Sequence, residues 1–281
     1  MTHKLAARFA ALLALASSAV VISTVTPAHA LVGLYRVDNI SAANGTSPKN
    51  VSVSCTAGDD MLSVGGRINN GAGDVVLTRA YFDPTGTVAT ASGIEAIATA
   101  AAWSVEVFAV CAPAGALTNR SIVQITSAFN NSDKTETAVC PAGDNIVGGG
   151  YLLDNAFGNV SIDEVEYNAA LTSLSVTAYD NAAVGNYTLT VQAVCADPLT
   201  RSLQTSLSAS NSISPKTMTT PACPAGTEVS AVGTEINGAL GAASIATLNP
   251  RPQLTAGESV VREVGNFGGN WTSRVMAICV G

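Results

Sequence analysis

Hydrophobic and polar residues alternate along most of this chain in short runs, and the alternation has period two. The clearest run is Trp103-Ser-Val-Glu-Val-Phe-Ala-Val-Cys111, which puts Trp103, Val105, Val107, Ala109 and Cys111 on one face of a strand. Tyr187-Thr-Leu-Thr-Val-Gln-Ala-Val-Cys195 and Trp271-Thr-Ser-Arg-Val-Met-Ala-Ile-Cys279 align with it without a gap, although Ser273 interrupts the face in the last. The aromatic residue eight positions before each cysteine is expected to cap the buried side of a sheet. Other apolar runs recur at roughly 8–12-residue spacing, separated by Gly, Asn and Asp turn signals. No stretch carries helical periodicity; Thr99 to Ala102 is alanine-rich but short. The pattern predicts an all-β protein with five or six strands in each of three similar units.

The cysteines set the period of those units. Cys55, Cys140 and Cys223 lie 85 and 83 residues apart, and Cys111, Cys195 and Cys279 lie 84 and 84 apart. One unit of about 84 residues is therefore written three times. Six cysteines allow 15 pairings. The repeat favours Cys55–Cys111, Cys140–Cys195 and Cys223–Cys279, with a cyclic pairing between units as the alternative. Each in-unit bridge would contribute ~4 kcal/mol by restricting the unfolded chain. The expected division is a signal peptide over 1–30 and β repeats over 31–116, 117–198 and 199–281.

Within each unit the same local signals return. A β-like stretch begins at Arg36, Arg120 and Arg201, and a polar turn follows at Ser47-Pro48-Lys49, Ser132-Asp133-Lys134 and Ser214-Pro215-Lys216. Beyond residue 30 these are the only lysines. Their recurrence assigns them to the unit, and the Ser-x-Lys spacing does not match a Ser-Lys nucleophile. The first cysteine opens a turn, Cys55-Thr-Ala-Gly, Cys140-Pro-Ala-Gly or Cys223-Pro-Ala-Gly. Glycines then interrupt an apolar run at Gly65-Gly66, Gly148-Gly149-Gly150 and Gly233, which marks a bulge or a close backbone approach.

The first 30 residues read as a secretory leader. His3, Lys4 and Arg8 precede the apolar run Phe9 to Ile22, and Ala28-His29-Ala30 fits peptidase recognition. No twin arginine or lipoprotein cysteine is present, and no later run is apolar enough to anchor the chain, so an exported, extracellular protein without a membrane anchor is expected. Three units fill residues 31–281 and leave no room for a separate catalytic domain. Losing Lys4 and Arg8 takes the net charge from −7 to −9. Such a surface repels nucleic acid and anionic lipid, so neither is an expected partner. Both histidines, His3 and His29, lie in the leader. Histidine triads and histidine-bound metals are thereby excluded, as are thiol nucleophiles once the cysteines are oxidised.

Three equivalent units suggest one pseudo-threefold, β-prism-like domain; three tandem small β-sandwiches are the alternative. An immunoglobulin sandwich fits poorly, because Ala109, Ala193 and Ala277 stand where its tyrosine belongs. The C-P-A-G turn, the glycine cluster and the W-[ST]-x-x-V-x-A-x-C strand resemble secreted actinobacterial proteins, mostly of unassigned function. Thr56 and Tyr187 depart from that pattern. In threefold repetition and all-β character the chain is also similar to β-prism proteins such as vitelline membrane outer layer protein and jacalin-type lectins. That likeness implies carbohydrate binding only by analogy of fold.

Carboxylates are the remaining acid–base groups. Asp163-Glu164-Val165-Glu166 places Glu164 and Glu166 on one strand face, a pairing that glycoside hydrolysis requires; an exposed acidic face is the plainer reading. Asp59, Asp60 and Asp74, or Asp144, Asn145 and Asp154, offer oxygens, but no calcium-loop spacing is present, and no metal or cofactor is expected. The leading expectation is a non-catalytic, lectin-like protein that binds a glycan or cell-wall polysaccharide. Its contacts would come from Asn69, Asn70, Tyr81, Tyr151, Asp154, Asn155, Tyr167 and Asn237. Alternatives are a structural or protein-binding cell-surface protein with an extracellular protein partner, and a carboxylate-dependent glycan-active enzyme.

Overall fold

The structure, a computed structural model, describes residues 31, 33–71, 73–180 and 185–281. The expected leader, 1–30, lies outside the described residues. The described chain is all β, with six strands per repeat and no helix. Repeat 1 holds β1 (Tyr35–Ile40), β2 (Lys49–Ser54), β3 (Asp60–Asn69), β4 (Val75–Phe82), β5 (Val88–Glu95) and β6 (Ser104–Ala112). Repeat 2 holds β7 (Ser121–Thr126), β8 (Lys134–Val139), β9 (Asn145–Asp154), β10 (Val160–Tyr167), β11 (Ser173–Asp180) and β12 (Thr188–Ala196). Repeat 3 holds β13 (Arg201–Leu207), β14 (Lys216–Thr219), β15 (Glu228–Asn237), β16 (Ala243–Pro250), β17 (Gly257–Glu263) and β18 (Thr272–Val280).

These strands form three six-stranded sheets, and every sheet combines two repeats. The orders are β1-β6-β3-β16-β17-β14, β13-β18-β15-β10-β11-β8 and β2-β5-β4-β9-β12-β7. In each, three antiparallel strands of one repeat meet three of its neighbour across a seam. The seams are short: Thr247 and Leu248 face Arg67 and Gly66, Glu164 and Val165 face Glu235 and Thr234, and Arg79 and Ala80 face Leu152 and Tyr151. Sheets shared in this way make one closed domain with pseudo-threefold symmetry, so the tandem-sandwich alternative does not hold.

Glycine makes the seams possible. Gly65, Gly150 and Gly233 occupy equivalent places on β3, β9 and β15. A Cβ there would lie 2.2 Å from Leu248 O, 2.5 Å from Ala80 O and 2.3 Å from Val165 O. Those three carbonyls are themselves equivalent, one on each of β16, β4 and β10. Any side chain would collide with the neighbouring repeat's backbone, so the glycine cluster serves close approach.

The three in-unit disulfides form, and the cyclic pairing does not. Each joins two different sheets, because the first cysteine follows β2, β8 or β14 and the second lies on β6, β12 or β18. Trp103, Tyr187 and Trp271 are buried as the strand pattern predicts. Leu117 and Leu199, in the links between repeats, are buried too and hold those links against the core.

Candidate functional site

The turn after the third strand of each repeat lies at a seam. It contains Asn69-Asn70-Gly71, Asp154-Asn155-Ala156 or Asn237-Gly238-Ala239. Asn70 and Asn155 take positive φ (61° and 63°), as Gly238 does at the matching position. Asparagine and glycine tolerate that conformation, which is why the turn carries them. Asn70, Asp154, Asn155 and Asn237 are exposed, and Asn69 is half-buried. The sequence therefore found one kind of place in three copies.

At the seam between repeats 1 and 2 this turn walls a cleft of about 200 Å³. Asp154, Asn155 and Phe157 come from the turn; Asn50, Thr78, Arg79 and Ser92 come from β2, β4 and β5. Thr78 sits at a β-bulge, where the register shifts between Leu77 and Arg79. Phe157 is 70% exposed beside these polar groups. Asn50 Oδ1 accepts a hydrogen bond of 2.5 Å from Ser92 Oγ, which fixes the amide at the cleft wall. Phe157, Arg79 and Asn50 were missed in the sequence; Phe157 alone left a trace, as an aromatic residue in a turn. The equivalent turn in repeat 3 carries Leu240 instead of an aromatic, and it too is exposed. The three seams are thus alike in backbone and different in chemistry.

Two expected contact residues require correction. Tyr151 and Tyr167 are 0% and 3% exposed and belong to the core. They lie on strands buried on both faces, and burial lifts both phenols above their ordinary range. Neither can meet a ligand. Tyr81 is half-exposed and donates a 3.1 Å hydrogen bond from its hydroxyl to Gln124 Oε1 across the seam.

The acidic group of repeat 2 is also accounted for by a seam. Glu166 and Glu235 both pair with the Arg274 guanidinium, which raises the arginine pKa despite partial burial. Glu164 Oε2 accepts a 2.7 Å hydrogen bond from Thr177 Oγ1. Glu166 is therefore engaged by a cation, and Glu164 and Glu166 do not form a free carboxylate pair. Asp163, at the bulge between Ile162 and Glu164, is 3% exposed. Burial, and then the Glu164 charge, push its pKa up to about 7, against the lowering effect of the Gly241 backbone N–H.

Each lysine caps the aromatic ring of its own repeat. Lys49, Lys134 and Lys216 place Nζ 4.7, 4.3 and 4.4 Å from the ring centres of Trp103, Tyr187 and Trp271. Each also donates to an asparagine Oδ1, of Asn44, Asn130 or Asn211. A buried ammonium needs such partners, and the repetition makes the arrangement part of the scaffold. Among the oxygen-rich turns, Asp59 accepts from the Tyr35 hydroxyl at 2.7 Å, Asp60 lies 3.5 Å from Arg120, and Asn145 accepts from Arg201. Among the described residues no group of three or more His, Cys, Asp or Glu is placed to hold a metal ion, and no helix is long and apolar enough to cross a membrane.

The fold and seams define a class, a three-repeat, disulfide-closed, all-β domain of pseudo-threefold symmetry. No family model matches the chain, and no curated protein does. Among solved structures, the major capsid protein P2 of bacteriophage PM2 is similar at 9% identity, covering 58% of this chain and 97% of that one, with a TM-score of 0.20. An archaeal virus protein with a triple jelly-roll fold is similar at 6% identity over 90% of both chains, with a TM-score of 0.23. At scores this low neither bears on what the chain does.

Proposed function

We propose that this is a secreted, non-catalytic glycan-binding protein whose ligand site is the cleft between repeats 1 and 2. The observation that carries the reading is the exposed Phe157 ring beside Asn50, Thr78, Ser92 and Asn155. A sugar presents an apolar C–H face and a rim of hydroxyls, which suits an aromatic surface flanked by amides and hydroxyls. Three disulfides fit an extracellular setting, in keeping with the leader expected from the sequence. The test is a panel of glycans and cell-wall polysaccharides presented to the mature, oxidised protein. Specific binding that Phe157→Ala weakens at unchanged thermal stability supports the reading; absence of binding across the panel overturns it.

A second reading, a structural or protein-binding cell-surface role, draws on a different observation. The edge strands β13 and β14 border a groove lined by Leu207, Ile213, Pro215 and Met218, with Leu207 and Ile213 largely exposed. Capture of one extracellular protein, abolished by Ile213→Asp, would favour it. The carboxylate-enzyme reading gains nothing from the geometry, because Arg274 occupies Glu166.

A further inference from the structure

We infer that the cleft between repeats 1 and 2 is selective for carboxylate-bearing sugars, with Arg79 as the group that reads the carboxylate. This rests on the glycan-binding reading and adds the ligand's charge to it. The argument comes from comparing the three seams at equivalent positions. Where repeats 3 and 1 meet, Arg67 lies opposite Thr247 and pairs with Glu106 and Glu258, each at 3.4 Å. Where repeats 2 and 3 meet, Glu235 lies opposite Glu164 and pairs with Arg274. Each of these seams therefore holds an arginine between two glutamates, Arg67 with Glu106 and Glu258 and Arg274 with Glu166 and Glu235, while Glu164 accepts from the Thr177 hydroxyl.

The remaining seam does not. Arg79 lies opposite Leu152, and the place held by Glu106 in repeat 1 and Arg274 in repeat 3 is Thr190 in repeat 2. No described residue gives Arg79 a hydrogen bond or an ion pair; its Nε is closed off without an acceptor, so the donors it offers to the cleft are its two Nη groups. A guanidinium that lines a cleft with unused donors is incomplete. A carboxylate completes it best, since its two oxygens match the planar fork in a bidentate pair. Phosphate or sulfate would satisfy the charge, but a sugar carboxylate also brings the ring that Phe157 can cover and hydroxyls for Asn50 and Ser92. Asp154, the one carboxylate in the lining, accepts sugar hydroxyls at the side of the cleft formed by the turn. Its charge opposes an anion, so an acidic sugar must bind with its carboxylate toward Arg79.

The test is titration calorimetry of the full mature protein with a galacturonic acid trimer and with the same trimer methyl-esterified. The ester keeps the shape and removes the charge. The acid form is expected to bind about 10–100-fold more tightly, the effect of one charge-assisted bidentate contact. Arg79→Gln should erase that preference by weakening the acid far more than the ester, and Arg79→Lys should retain only part of it. Phe157→Ala should weaken both ligands alike. Equal binding of acid and ester overturns the inference and leaves the glycan-binding reading in place. Absence of acid-trimer binding also overturns it, and binding of neutral glycans on the panel then decides the broader reading separately. A stability measurement on each variant keeps loss of fold apart from loss of contact.

Discussion

Gly65→Ala tests the seams directly. The new Cβ would lie 2.2 Å from Leu248 O, where ordinary contact begins at 3.4 Å. The obstacle is backbone, so no rotamer change relieves it, and β3 and β16 must separate by about 1 Å or the carbonyl must tilt. Either response weakens the pairing of Thr247 with Arg67 and of Leu248 with Gly66, the whole of this seam's register. Overpacking costs about 1–3 kcal/mol and each impaired backbone bond about 1 kcal/mol, so a loss of roughly 2–4 kcal/mol is expected. In a domain of this size that corresponds to a fall in melting temperature of roughly 5–15 °C. Gly45→Ala is the matched control, because nothing lies within 4 Å of its Cβ and its φ is not positive. It should be neutral, or stabilising by ~0.5 kcal/mol through the unfolded chain. The assay is equilibrium urea denaturation of the oxidised proteins. A Gly65→Ala protein within about 0.5 kcal/mol of the parent would refute the claim that glycine is there for close approach.

Two further outcomes are expected. Asp163 has a folded pKa near 7 against an ordinary 3.8. The folded state therefore keeps a proton that the unfolded chain releases, and stability from this group is full below about pH 4 and lost as pH rises through 7. Asp163→Asn should flatten that slope and add at most about 4 kcal/mol at pH 8; denaturation midpoints from pH 4 to 8 that fall equally in both proteins would count against it. Lys216→Met leaves Asn211 Oδ1 and its backbone carbonyl without the ammonium donor and removes the cation over Trp271. A cost of about 1–3 kcal/mol is expected by thermal denaturation, and an unchanged midpoint would show that the cap does not support the fold.

The closing strands were the most legible part of the fold. Trp103, Val105 and Cys111 follow strict alternation, and the repeated cysteine spacing selected the disulfides that form. Tyr151 and Tyr167 were expected as contacts because they are aromatic and stand near turns, but β9 and β10 sit in mid-sheet and are buried on both faces. On such strands the pattern cannot tell a ligand contact from core. The glycine cluster announced a close approach but not its partner, which lies on another repeat. Asp154 and Asn155 were found through turn chemistry. Arg79 was not, because its distinction is the absence of a partner at a seam, and only the register that opposes it to Leu152 reveals that.

The seam itself has a consequence for assembly. The fourth strand of each repeat joins the third strand of the next, from β4 to β9, β10 to β15, and β16 back to β3. The two halves of that contact are different surfaces, so it is heterologous, and its rotation closes after three copies. A cyclic homotrimer has the same grammar. The protein has the connectivity of a C3 ring carried on one polypeptide, so each seam can have side chains of its own. Two interfaces hold an arginine between two glutamates, and the third has an arginine that no neighbour pairs with.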